Sequence, residues 1–146
     1  RAHGGAIDKF LGDGILATFD GAARPERYAA DALDALHAGL AAADALQHER
    51  EAAGQLALPV KAAASSGRVI FGAVGTGDRL EYTVIGDAVN LAAKLEKHTQ
   101  VAGCRALAPE STARLARAQG HTGAFTSLPA TRVAGMAEPM VCAALA

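Results

Sequence analysis

The stretch KFLGDGILATF, Lys9 to Phe19, sets apolar residues on either side of Gly12-Asp13-Gly14. That pattern predicts a strand, a tight turn and a second strand, with Asp13 at the tip of the hairpin. An aspartate suits such a corner for its turn chemistry alone. It equally suits a corner that holds a positive charge, and this segment by itself leaves both readings open.

Downstream, DGAARPER (Asp20–Arg27) is turn-rich, and Pro25 stands where the first turn of a helix tolerates it. Leu33, Leu36, Leu40 and Leu46 then recur at helical spacing, predicting an amphipathic helix from about Glu26 to Glu51. LALPVKAAASSGRVIFGAVG (Leu56–Gly75) predicts a strand, a Ser-Ser-Gly turn and a second strand. TGDR separates these from another strand, LEYTV (Leu80–Val84), in a second hairpin region. Asp87 is the expected N-cap of a helix AVNLAAKLEKH, and Pro109 opens a shorter one, PESTARLAR. The tail from about Phe125 to Leu145 alternates weakly and is expected to form edge strands. Interleaved strands and helices give an α+β fold, an α/β sandwich with helices over a sheet.

A chain of 146 residues, 51% hydrophobic and 20% charged, suits one domain with one core. Fourteen Lys and Arg against fifteen Asp and Glu leave a net charge of -1. No global basic field exists to draw nucleic acid or an anionic membrane. Cys104 and Cys142 form no CxxC pair, which argues against a zinc knuckle or disulfide framework and for a cytoplasmic protein. No apolar run is long enough to span a bilayer, and the first residues lack a signal-peptide layout. No membrane contact is expected from this segment, although a longer parent protein could be membrane-attached.

Single motifs say little. GAVGTG (Gly72–Gly77) matches neither GxGxxG nor a Walker loop. Asn90 and Lys94, four residues apart, share one helix face. His3, His37, His48, His98 and His121 show no metal-ligand spacing and are read as surface residues. GxSxG is absent, so no serine nucleophile stands out.

Their order says more. GGAIDKFLGDGILATF, a long helix, SGRVIFGAVG and then RLEYTVIGDAVNLAAKLEK together resemble the catalytic domain of class III adenylate/guanylate cyclases. EYTVIGDAVNLAAKLE is the most specific part of that resemblance, which covers nearly the whole chain. It implies a ferredoxin-like nucleotide cyclase fold lacking its N-terminal first strand and first helices. It also implies conversion of ATP to cyclic AMP and pyrophosphate, two Mg2+ or Mn2+ ions, and a homodimer with shared active sites. Position by position, Asp13 matches a metal-binding aspartate, Lys9 the lysine that recognises adenine, and Thr83 the second base reader. Asn90 matches the asparagine that orients the ribose, and Lys94 the position of the arginine that stabilises the transition state.

The chemistry agrees with those roles. Two hard cations about 3.5–4 Å apart need oxygen ligands such as Asp13. An ammonium at position 9 donates to adenine N1, and the Thr83 hydroxyl accepts from the N6 amine, whereas a guanine reader would want an acceptor such as Glu near position 9. Three departures stand beside the match. The family's first metal aspartate has no counterpart, and Asp8 lies too far back along the strand to replace it. Lys94 lacks the forked contact of an arginine. Ala134 stands before Gly135 where a basic residue is usual, with Arg132 the nearest base. They keep open an alternative, a cyclase-like module that dimerises or binds nucleotide without turnover. A diguanylate-cyclase-like domain ranks behind both, because it has no counterpart to IGDAVN.

The missing strand would lie mid-sheet, between the second hairpin strand and the strand near Leu58–Ser65. Three outcomes are expected: the two flanking strands pair directly in a right-handed βαβ unit, another chain fills the gap, or further residues do.

Overall fold

The structure is a computed structural model that describes residues 1–76 and 79–145, with Arg79 described in its backbone alone. Strands β1 (Ala6–Leu11) and β2 (Gly14–Thr18) form the expected antiparallel hairpin. Gly12 takes the left-handed conformation its turn requires, φ 65°. Helix α1 (Tyr28–Ala52) follows, then β3 (Ala62–Ala63), β4 (Ile70–Thr76), β5 (Arg79–Ile85), α2 (Asp87–Ala102), β6 (Ala106–Pro109), α3 (Glu110–Ala118), β7 (Phe125–Ser127) and β8 (Cys142–Leu145).

Helix α1 buries Leu33 and Leu40 as its periodicity predicts, whereas Leu46 lies 56% exposed beyond the packed part of the stripe. Its first amides are not capped by Arg27. The Gln119 side-chain oxygen accepts from the amides of Ala29 at 2.8 Å and Ala30 at 3.2 Å, tying the start of α1 to the end of α3. Asp31 in the first turn pairs with Arg24 and Arg27, where a carboxylate also complements the helix dipole.

The strands fall into three sheets: β1-β2, β4-β5, and a four-stranded sheet ordered β3-β6-β8-β7. In that last sheet β3 runs parallel to β6, and the other pairs are antiparallel. Helices cover both of its faces. Ala106, Ala108, Ala143 and Leu145 pack with α1 and α3, while Leu107 and Cys142 pack with Leu95 of α2 and with Val133. Full burial of a side chain such as Leu33 or Leu95 contributes about 1.5–3 kcal/mol.

Several expectations need correcting. The segment Leu58–Lys61 is not strand, and β3 does not pair with β4; β3 joins β6 and β4 joins β5. Of the separator TGDR, Gly77 and Asp78 lie outside the described residues. Strand β8 is interior, not an edge. Buried on both faces, CAAL has no polar side to alternate, so its pattern was weak for a reason opposite to exposure. Asp87 is the first residue of α2 rather than its cap, and Gly86 precedes it with φ 154°. A Cβ at Gly86 would stand 2.7 Å from the Arg68 carbonyl oxygen, so the close approach excludes a side chain there. The histidines are not all surface residues: His98 and His121 are buried. His121 stacks on His37 with ring centroids 5.0 Å apart, and its Nδ1 lies 2.6 Å from Asp34.

Direct pairing of β2 with β3 does not form. The two strands belong to different sheets, and among the described residues each has a single partner strand and one open edge.

Candidate active site

Four polar side chains meet where β1 crosses β5. The β1–β2 register slips between Ile7 and Lys9, leaving Asp8 as an extra, unpaired residue. Such a bulge lets neighbours aim to one side that in a regular strand would point to opposite faces. Asp8 and Lys9 therefore both reach β5, where Glu81 and Thr83, two residues apart, share one face. The Thr83 hydroxyl donates to Asp8 Oδ2 at 3.3 Å. The Lys9 ammonium lies 3.9 Å from the same oxygen and is hydrogen-bonded to the exposed carboxylate of Glu81. Thr83 is buried, and Asp8, half-buried as a residue, has its side chain 7% exposed.

The other candidates sit apart from this cluster. Asp13 is exposed at the hairpin tip, and no hydrogen bond or ion pair holds it among the described residues. Asn90 is exposed on the first turns of α2, its amide donating to the Gly86 carbonyl at 3.2 Å. Lys94, one turn on, donates to the Gly135 carbonyl at 2.6 Å and approaches Met136 Sδ at 3.7 Å. That anchors α2 to the loop before β8.

No group of three or more His, Cys, Asp or Glu side chains among the described residues could hold a metal. Asp13 alone nevertheless fits a Mg2+ or Mn2+ ion that arrives with nucleotide, because such ions take one or two carboxylates together with phosphate oxygens and water. A cavity of about 290 Å³, lined by His37, Leu40, Ala41, Asp44, Arg105 and Leu145, lies away from these residues. Within the Lys9–Thr83 cluster only Glu81 is well exposed, the Asp8 and Thr83 side chains being largely covered.

The chain is 39% identical to an adenylate cyclase of Anabaena cylindrica over 118 residues, 76% of this chain and 22% of that protein. It is 31% identical to adenylate cyclase 1 of Rhizobium meliloti over 107 residues, 73% of this chain and 16% of that one. Among solved structures, the adenylyl cyclase CyaB from P. aeruginosa superimposes over 99% of this chain and 73% of its own, with TM-score 0.79 and 25% identity. The guanylyl cyclase Cya2 does so over 99% and 71%, with TM-score 0.75 and 23% identity. The chain belongs to the class III nucleotidyl cyclase family.

No family model matches the sequence, and the chain spans about a fifth of the length of those curated relatives. Within the cyclase fold the structure brings Lys9 and Thr83 together and keeps Asn90 and Lys94 on one helix. It does not join Asp13 to either pair by a direct bond. Sequence reasoning missed Glu81 and the bonding of Asp8. The alternation of LEYTV could have put Glu81 on the face of Thr83; no local signal announced the bulge at Asp8. Among the described residues, no helix is long and apolar enough to cross a membrane.

Proposed function

We propose that residues 1–146 form part of a cyclase catalytic domain that converts ATP into 3',5'-cyclic AMP and pyrophosphate. The observation that carries this reading is the convergence of Lys9 and Thr83 on Asp8 where β1 crosses β5. The Lys9 ammonium donates to adenine N1 and the Thr83 hydroxyl accepts from the N6 amine. Asn90 positions the ribose, and Lys94 offers positive charge to the transferring phosphoryl group. The ribose 3'-oxygen attacks the α-phosphorus, its proton passes to solvent water, and the bond from the α-phosphorus to the bridging oxygen breaks to release pyrophosphate. Mg2+ or Mn2+ bound at Asp13 would neutralise the phosphates and lower the barrier to deprotonation of the hydroxyl.

The cluster and the exposed Asp13 and Asn90 stand apart in one chain, which supports a homodimer with Asp13, Asn90 and Lys94 completing sites across the interface. The open edges of β2 and β3 fit an additional strand, from another chain or from further residues, bearing a second metal-binding aspartate. ATP supply places the reaction in the cytoplasm, in cyclic-nucleotide signalling.

The test is product formation by the chain, alone and joined to any strand that precedes it in a longer parent. Cyclic AMP made from ATP with Mg2+ or Mn2+, and made faster than cyclic GMP from GTP, supports the reading. Equal or better turnover of GTP refutes the adenine assignment. The second reading, a module that dimerises or binds nucleotide without turnover, is favoured by Lys94 being engaged by Gly135. It predicts saturable ATP binding with no cyclic product.

A further inference from the structure

We infer that Asp8 is a positioning residue for purine choice: it fixes the direction in which the Thr83 hydroxyl hydrogen points. The inference rests on Lys9 and Thr83 being the base readers. A threonine hydroxyl alone does not discriminate between adenine and guanine, because it donates one hydrogen and accepts through two lone pairs. It would serve the N6 amine of adenine or the O6 carbonyl of guanine equally well. Something must commit the hydrogen.

Asp8 does so. Its carboxylate, 7% exposed, accepts the Thr83 hydrogen at 3.3 Å. Among the described residues the other acceptor within reach of that hydrogen is the adjacent Val84 carbonyl, longer at 3.5 Å. The carboxylate oxygen is the nearer acceptor and takes the hydrogen. With the hydrogen turned inward, Thr83 presents lone pairs to a base, which welcome an amine and repel a carbonyl oxygen. Asp8 also lies 3.9 Å from the Lys9 ammonium. One carboxylate therefore stands beside both readers while bonding only to Thr83, and the bulge at Asp8 is what allows it to lie next to Lys9 on the same side. Opposite Thr83 across the hairpin stands Gly72, with open space where a side chain would be, leaving that flank of the hydroxyl clear.

The experiment compares wild type, Asp8→Ala and Asp8→Asn in kcat/KM for ATP and for GTP, with the equilibrium affinities of fluorescent ATP and GTP analogues measured in parallel. In Asp8→Ala the hydroxyl rotates freely, so the preference for ATP should fall about three- to tenfold, the worth of one net hydrogen bond. Asn keeps a carbonyl oxygen that accepts from Thr83, so Asp8→Asn should hold the ratio within about twofold of wild type. In a Thr83→Val background Asp8→Ala should leave the ratio unchanged, because there is no hydroxyl left to orient. Circular dichroism identifies any variant that fails to fold, and Asp8→Asn then carries the comparison with Thr83→Val. Equal loss toward both nucleotides in Asp8→Ala, or a shifted ratio in the Thr83→Val background, overturns the inference and leaves Asp8 a structural residue. Wild type that binds neither analogue refutes instead the reading of this face as a purine site.

Discussion

Replacing Lys94 by arginine separates the bond that the structure gives its ammonium from the catalytic role proposed for it. Lys94 Nζ has three hydrogens: one goes to the Gly135 carbonyl at 2.6 Å and another toward Met136 Sδ at 3.7 Å. One remains for a phosphate. A guanidinium has five donors in a planar fork, so it can keep the carbonyl and still present two parallel bonds to an anion. A whole preorganised donor of this kind is worth roughly 2.7–4 kcal/mol in a transition state. The lysine charge already supplies part of that. Gaining a second charge-assisted bond should then be worth about 1–1.5 kcal/mol, or around tenfold in kcat. The affinity for ATP should change little, since the gain is confined to charge that develops during the reaction. Lys94→Ala provides the complementary reading: loss of the bond to Gly135, on a half-exposed side chain, should lower stability by only about 1 kcal/mol. For a chain of this size that is a fall of roughly 3–6 °C in Tm. Initial rates of cyclic AMP formation and thermal denaturation give both numbers. If Lys94→Arg leaves kcat unchanged while Lys94→Ala lowers Tm without lowering kcat, Lys94 is an anchor for the loop and has no part in the chemistry.

Asp13→Ala should abolish Mg2+- or Mn2+-dependent turnover while Tm stays within about 2 °C of wild type, because an exposed turn carboxylate contributes little to a core; assays across a metal titration check it, and surviving activity would reduce Asp13 to a turn residue. Acid stability offers an independent test of the α3–β7 contact. The Ser127 hydroxyl, and after it Arg114, hold the Glu110 carboxyl below its ordinary range. A depressed folded pKa stabilises the native state above the unfolded value, and that stability is lost as pH falls through the folded one. Ser127→Ala should thus lower Tm at neutral pH and converge on wild type in acid; a Tm difference that does not vary with pH contradicts the contact.

What the sequence displayed plainly were features that depend on neighbours in the chain. The turn at Gly12-Asp13-Gly14, the leucine stripe of α1 and the helix carrying Asn90 and Lys94 are all local patterns, and all formed. Features set by long-range packing were hidden. The residues Cys142–Leu145 read as weak strand because helices cover both faces of β8, which erases alternation. His121 read as a surface residue because nothing near it in sequence reveals Asp34 on a distant helix. The bulge at Asp8 was equally silent, being a property of how β1 registers on β2. The candidate site shows the same division: motif positions nominated Lys9, Thr83, Asn90 and Lys94, while Glu81 and the bonding of Asp8 needed the strands to cross.

The two hairpins reverse the usual arrangement of polar and apolar groups, and the reversal bears on how the proposed site would work. On β1 and β5 the buried side chains at the crossing are Asp8 and Thr83, whereas Phe10 is 70% exposed and Tyr82 71%. Ile15, Ile70, Phe71 and Leu80 are exposed on the same hairpins. Apolar area left in water on this scale is costly at roughly 25 cal/mol per Å², and contiguous surface of this kind marks a face that another surface covers. The Lys9–Thr83 cluster lies on the same two hairpins. A partner that covered it would exclude water from the ion pair of Lys9 and Glu81 and strengthen each charge-assisted bond to a base. It would also bring a second copy of Asn90 and Lys94 within reach of the nucleotide if the copies met across a two-fold axis, since such an interface presents the same patch from both sides. The same surface that destabilises an isolated chain would then assemble the catalytic groups that this chain, by itself, holds apart.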